Sequence, residues 1–177
     1  MHFDKNKLTA IVHLDSKMVI DQIPPAIYAR AEEFGMILKN EFHLTLIGNA
    51  LGQKLKAASP TEVQIRTLEE ELMIICQSDH VNFMESFYFC EKDYDQIFGQ
   101  EIIKVDHTRQ SIVQLTVTSM EKRVLQFLRQ YFFVNLNDNL GHITLFTSAT
   151  DKRAESLGIG MQDADEFRLY MKEAIEV

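Results

Sequence analysis

Apolar and polar positions along this chain change period several times, and each change marks an expected element. Lys7 to Leu14 reads as a strand, and Pro24-Pro25 then opens a helix, since a fixed φ suits the first turn. Its apolar positions Ile27, Ala31, Phe34 and Leu38 advance by four, three and four, which keeps them on one helical face. A short alternating strand follows near 41–47. Ser59-Pro60-Thr61-Glu62 has the form of a capping box, with Ile65, Leu68, Leu72 and Ile75 in line behind it, and predicts the clearest helix. Val81 to Cys90 and Gln100 to His107 are rich in aromatic or β-branched residues and predict strands, with Tyr94 to Gly99 as a loop and Thr108-Arg109-Gln110 as a turn. Ser111 to Thr118 reads as another strand. A helix capped by Thr118, with Glu121 three residues on, carries the stripe Val124, Leu125, Leu128, Tyr131 and Phe132. Asn135 to Gly141 is a dense turn signal before a second short strand near 141–147. Finally, Phe167, Leu169, Met171, Ile175 and Val177 share one parity, the pattern of a half-buried antiparallel strand.

The two short strands carry the same phrase. His43-Leu44-Thr45-Leu46 and His142-Ile143-Thr144-Leu145 lie 99 positions apart (142 − 43), and each reads histidine, apolar, threonine, apolar. At the period of a strand the histidine and threonine share one face and the apolar pair the other. With 6 His and 10 Thr in 177 residues, chance supplies this phrase about 0.07 times per chain, so a random pair is of order one in several hundred. The surroundings repeat as well. Val12 to His43 spans 31 positions and Val113 to His142 spans 29, each a strand, helix and strand, which predicts two related lobes in pseudo-twofold arrangement with their motif strands face to face.

Composition narrows what such a pair could serve. A length of 177 residues, 46% of them hydrophobic, predicts one globular unit over residues 1–177. The net charge of −8 comes with no basic run longer than a pair, which disfavours a long polyanionic partner but leaves a small anionic ligand in a local pocket open. Cys76 and Cys90 are too few for a disulfide framework or a zinc site and predict free thiols in a reducing, cytoplasmic setting. The amino terminus lacks an apolar signal core and no apolar run approaches a membrane span.

Two imidazoles flanking one group supply both proton movements of phosphodiester cleavage, because one can activate an attacking oxygen while the other protonates the leaving oxygen. Thr45 and Thr144, on the same faces, would aim hydroxyl donors at the non-bridging oxygens as charge builds there. Zinc would want a third ligand, and neither motif has Cys, Asp or Glu at its i+2 position, so no metal or other cofactor is expected.

The paired motif, each copy following a strand and helix, resembles the 2H phosphoesterase superfamily, which includes cyclic phosphodiesterases and 2′-5′ RNA ligase-like proteins. The resemblance spans about Lys7 to Val177. It implies an α+β, bilobal fold with antiparallel sheets facing a central groove, and metal-independent hydrolysis of a 2′,3′-cyclic or 2′,5′-linked phosphodiester. By motif, His43 and His142 take the acid and base roles and Thr45 and Thr144 the phosphate contacts. Ile47-Gly48 and Phe146-Thr147 continue the two motifs without a basic residue. A nucleotide, a short oligonucleotide or an RNA end therefore fits better than long RNA. The alternative is a nucleotide-binding module that uses the same groove without turnover.

Other residues divide between ligand and scaffold. Tyr94 and Phe146 are the aromatic side chains expected to touch a ligand, while Phe83, Phe87 and Phe89 share a strand face and read as core. Arg109 and Lys39 would either place positive charge near phosphate or remain on a solvated surface. His13 and His107 lack a hydroxyl at i+2 and read as structural or groove-rim residues.

Overall fold

The computed structural model describes residues 1–98, 101–132, 140–155, 157–161 and 163–177, with backbone alone for 95–98 and 101–106. The chain opens with a hairpin. β1 (His2–Asp4) and β2 (Thr9–His13) pair antiparallel across a turn in which Asp4 Oδ1 accepts from the amides of Asn6 and Lys7. After α1 (Ser16–Ile20), α2 (Pro25–Glu33) starts where the proline pair predicts and ends before Gly35, whose φ of 61° suits glycine. That early stop overrides the four-three-four spacing at its far end, so Leu38 falls in β3 (Ile37–Leu38) instead of the helix. β4 (His43–Ile47) leads into α3 (Asn49–Ala57), a helix that the apolar pattern does not predict. Its Gly52 is held by space, since a Cβ there would collide with the Lys7 carbonyl oxygen.

α4 (Glu62–Ser78) does begin with a capping box, but one built on Thr61 and Gln64. Ser59 is in the turn that leaves α3, at a φ of 50°, and cannot serve as the cap. The largest correction concerns the middle of the chain. β5 (Asn82–Phe98) and β6 (Glu101–Val117) form one long hairpin, and both the expected loop at 94–98 and the expected turn at Thr108-Arg109-Gln110 are strand. Lys92 pairs with Arg109, Asp93 with Thr108 and Tyr94 with His107. A ladder satisfies backbone groups whatever the side-chain polarity, so a polar stretch does not interrupt it. Gly99 and Gln100 lie outside the described residues, as do 135–139 of the expected turn before the second motif.

In α5 (Met120–Tyr131) the Thr118 hydroxyl accepts from the Met120 amide at 3.2 Å, as the expected cap requires, but a contact from elsewhere in the chain takes the place expected of Glu121. Asp79, at the end of α4, accepts from the Ser119 hydroxyl, the Thr118 hydroxyl and the Ser119 amide, and these bonds, led by that of the Ser119 side chain and joined by one from the His80 amide, hold its carboxyl down at about 2. Glu121 is instead only 6% exposed. The chain continues through β7 (His142–Ala149), a single 3-10 turn at Lys152–Ala154, α6 (Ala164–Tyr170) and β8 (Met171–Ile175). The carboxy-terminal strand expected from Phe167 onward is therefore helical as far as Tyr170. Asp163 Oδ1 caps α6 by accepting from the Asp165 and Glu166 amides, a local start signal that outweighs the alternating parity.

The fold is α+β, with two antiparallel sheets ordered β1-β2-β4 and β3-β7-β6-β5-β8. The helices are exchanged between them. α2, which joins β2 to β4, packs Ile27 and Ala31 with Phe87, Phe89, Ile112 and Leu145 of the larger sheet. α5, which joins β6 to β7, packs Val124, Leu125 and Leu128 with Leu44, Leu46 and Ile47 of the smaller one, beside Leu68 and Leu72 of α4. Each fully buried side chain of this size stabilises by about 1.5–3 kcal/mol, so the exchange ties the sheets together and leaves β4 and β7 packed against each other. Among the described residues, no helix is long and apolar enough to cross a membrane.

Glu121 makes a testable mark on stability. Burial, with a contribution from the charge of Asp79, pushes its carboxyl up to about 7 from an ordinary value of 4.5. The folded chain thus holds a proton that the unfolded chain releases between these values, and stability falls as pH rises through that window. The expected loss is about 3 kcal/mol by pH 8. In urea titrations at pH 5 and pH 8, Glu121→Gln should remove most of this difference and be the more stable form at pH 8; an unchanged pH dependence would refute the assignment.

Candidate active site

The motif strands share an irregularity that alternation alone does not reveal. In β4, Ile11 pairs with Thr45 and Ala10 with Ile47, so Leu46 is an extra residue; in β7, Val113 pairs with Thr144 and Ile112 with Phe146, so Leu145 is extra. A bulge thus follows the threonine in both strands and reverses the parity beyond it. Leu44, Leu46 and Ile47 are buried, as are Ile143, Leu145 and Phe146. This corrects the expectation for Phe146. It is 3% exposed, meets Tyr28 edge-on at 5.4 Å between ring centroids, and belongs to the core beneath α2 rather than to a ligand surface.

On the other side of these strands lies a cavity of about 640 Å³, lined by His43 and Thr45 from the smaller sheet and His142 and Thr144 from the larger. Lys39, Tyr94 and Arg109 also line it, so seven of the eight residues singled out from sequence come together there. His13 sits directly across from His43 in the ladder, but it is exposed and does not reach the cavity. His107 lies behind the wall, its ring stacked parallel to Tyr94 at 5.2 Å.

The two histidines differ electrically. His142 Nδ1 is 3.1 Å from the Leu140 carbonyl, which can only accept, so Nδ1 carries hydrogen and Nε2 is the basic nitrogen of the neutral ring. Burial lowers its pKa, partly opposed by that hydrogen bond. Gly141, just before it, leaves room for Glu121 and Thr116, whose side-chain oxygens a Cβ there would strike. His43 is also lowered, first by burial and then by Lys39, His13 and His142, with Glu41 acting in the opposite direction. Lys39 is placed by the edge strand β3. Its amide donates to the carbonyl of the bulge residue Leu145 at 2.9 Å, and burial lowers its pKa.

The remaining walls come from residues that no sequence motif marks. Lys92 lines the cavity from β5, and Gly158 to Met161 close another side. Gly158 passes so near Thr144 that a Cβ would come within 3.1 Å of its hydroxyl oxygen. The residues Gly48 to Leu51, where α3 begins, complete the first-motif side. Among the described residues, no three His, Cys, Asp or Glu side chains gather as a group that could hold a metal ion.

A comparison with protein-family models, with curated proteins and with solved structures finds no match. The functional reading therefore rests on the cavity and its chemistry. One signal in the sequence could have revealed Lys92: it shares strand parity with Tyr94 and faces Arg109 once the hairpin is taken as continuous.

Proposed function

We propose that this protein is a phosphodiesterase of the 2H type, hydrolysing a 2′,3′-cyclic or 2′,5′-linked phosphodiester of a nucleotide, short oligonucleotide or RNA end. The observation that carries this reading is the convergence of both motif histidines and both motif threonines, from different sheets, on one cavity. The matching bulges support treating β2-α2-β4 and β6-α5-β7 as two copies of one lobe about a central groove. Lys39, Lys54, Lys92 and Arg109 gather at the cavity of a chain whose net charge is −8, which favours a small anionic substrate over a long one. Two free thiols accord with a cytoplasmic setting; burial pushes that of Cys90 up to about 12.

In this mechanism neutral His142 takes a proton at Nε2 from the attacking water, and protonated His43 donates one to the leaving oxygen. The threonine hydroxyls donate to the non-bridging oxygens. His43 must therefore gain its proton against the burial and the neighbouring charges that lower its pKa. A bound phosphodiester carries negative charge between the imidazoles and favours protonation of both.

That linkage predicts a bell-shaped kcat/KM profile centred below pH 6.5, the ordinary imidazole value, because both histidines are lowered in the free protein. Activity falls on the acid side as His142 protonates and on the alkaline side as His43 loses its proton, both limbs belonging to the coupled pair. The kcat bell should lie at higher pH. A flat profile between pH 5 and 8 would contradict the mechanism.

A substrate panel in the presence of chelator tests the function itself: 2′,3′-cyclic mononucleotides, cyclic dinucleotides, 2′,5′-linked oligoadenylate and RNA with a cyclic end. Turnover of at least one member supports the reading. Binding without turnover assigns the cavity to a nucleotide-binding module, and turnover lost on chelation removes the metal-free mechanism.

A further inference from the structure

The hairpin formed by β5 and β6 places two cations where strand pairing alone would disfavour them. Lys92 and Arg109 are directly opposite in the ladder. Like charges so placed repel. Both line the same cavity as the paired histidines. Several arginines elsewhere sit on carboxylates, as Arg30 does on Glu33 and Glu173 and Arg168 does on Asp165. Among the described residues, neither Lys92 nor Arg109 has such a partner.

Aromatic rings hold them instead. The Arg109 guanidinium lies 4.1 Å from the centroid of Tyr94, and its Nε donates to His107 Nε2 at 3.0 Å. The Lys92 ammonium lies 4.3 Å from the Tyr170 ring and 5.5 Å from Tyr94, and donates to the Gly160 carbonyl at 3.2 Å. Tyr94 is thus engaged by two cations and a stacked imidazole, which makes it a platform for charge rather than an open face for a base. A ring over a guanidinium fixes its plane without using its remaining N–H donors, the arrangement suited to grip a phosphoryl group through two oxygens.

We infer that Lys92 and Arg109 form a second anion subsite, which takes a phosphate of the substrate other than the one under attack. This rests on the phosphodiesterase reading and narrows it. The preferred substrate carries at least two phosphates, as in a short oligonucleotide, a cyclic oligonucleotide or a terminally phosphorylated end, and a lone 2′,3′-cyclic nucleotide fills only half of the site.

The test is a ratio of affinities. In the His142→Ala background, calorimetry at fixed ionic strength compares 2′,5′-linked diadenylate with the same molecule bearing a 5′- or a 3′-terminal phosphate. One of the two phosphates should tighten binding about tenfold or more, the scale of one charge-assisted contact. Arg109→Gln should bring that ratio to within about twofold of one, with Arg109→Lys between. If Arg109→Gln fails to fold, Lys92→Gln carries the same comparison. A ratio near one with both cations present, a gain that persists in both glutamine variants, or no binding of either phosphorylated form overturns the subsite. Separate outcomes mark the two readings: histidine-dependent turnover of the plain dinucleotide with a ratio near one defeats the subsite alone. A ratio that depends on Arg109, in a chain that hydrolyses no member of the panel, defeats the phosphodiesterase alone.

Discussion

Replacing either motif histidine should lower kcat/KM by about 10²- to 10⁴-fold, the range for a positioned acid or base. The His43→Ala, His142→Ala double variant should be little worse than the weaker single if, as proposed, the two act in one concerted transfer. Full additivity would argue against that unit. The roles separate on an ester with a nitrophenolate leaving group, which departs without a proton. His43→Ala should recover most of its rate on such an ester while His142→Ala stays inactive. The tautomer of His142, set by the Leu140 carbonyl, supports this assignment because it turns a basic nitrogen away from that hydrogen bond. Survival of His142→Ala alone would reverse the roles, and equal loss in both would remove the acid–base division.

The second large effect belongs to the threonines. Each lines the cavity two residues beyond its histidine, just before a bulge that fixes the strand's direction. Removing one hydroxyl donor to a phosphoryl oxygen should cost about 10²- to 10³-fold in kcat. Thr45→Val and Thr144→Val keep side-chain size near constant, and the melting temperature shows whether the fold is intact. Sulfur in place of a non-bridging oxygen gives the sharper readout, since sulfur accepts hydrogen bonds poorly. The wild-type chain should distinguish the two phosphorothioate diastereomers, and each valine variant should lose discrimination for one of them. Unchanged discrimination in both would leave the threonines a purely structural role.

What can be read from the chain, and what cannot, divides along the range of the forces involved. Pro24-Pro25, the stripe from Ile65 to Ile75 and the alternation around His43 and His142 are local, and α2, α4, β4 and β7 appear where they predict. The duplicated phrase alone is enough to select His43, Thr45, His142 and Thr144, all of which line the cavity. Local patterns mislead wherever a distant partner decides the outcome. The polar stretches of β5 and β6 have the composition of loop and turn, yet each is strand because the other supplies its ladder. Thr118 and Glu121 have the spacing of a capping box, but Glu121 is buried, and Asp79, 40 positions before Ser119, joins Thr118 at the helix start. Phe146 shares parity with His142 in the sequence, but a one-residue bulge, visible only against β6, turns it into the core. Residue types and short spacings therefore determined the candidate chemistry of this protein. The tertiary structure decided which walls enclose that chemistry, because cross-strand pairing and the exchange of α2 and α5 depend on contacts between residues far apart in the chain.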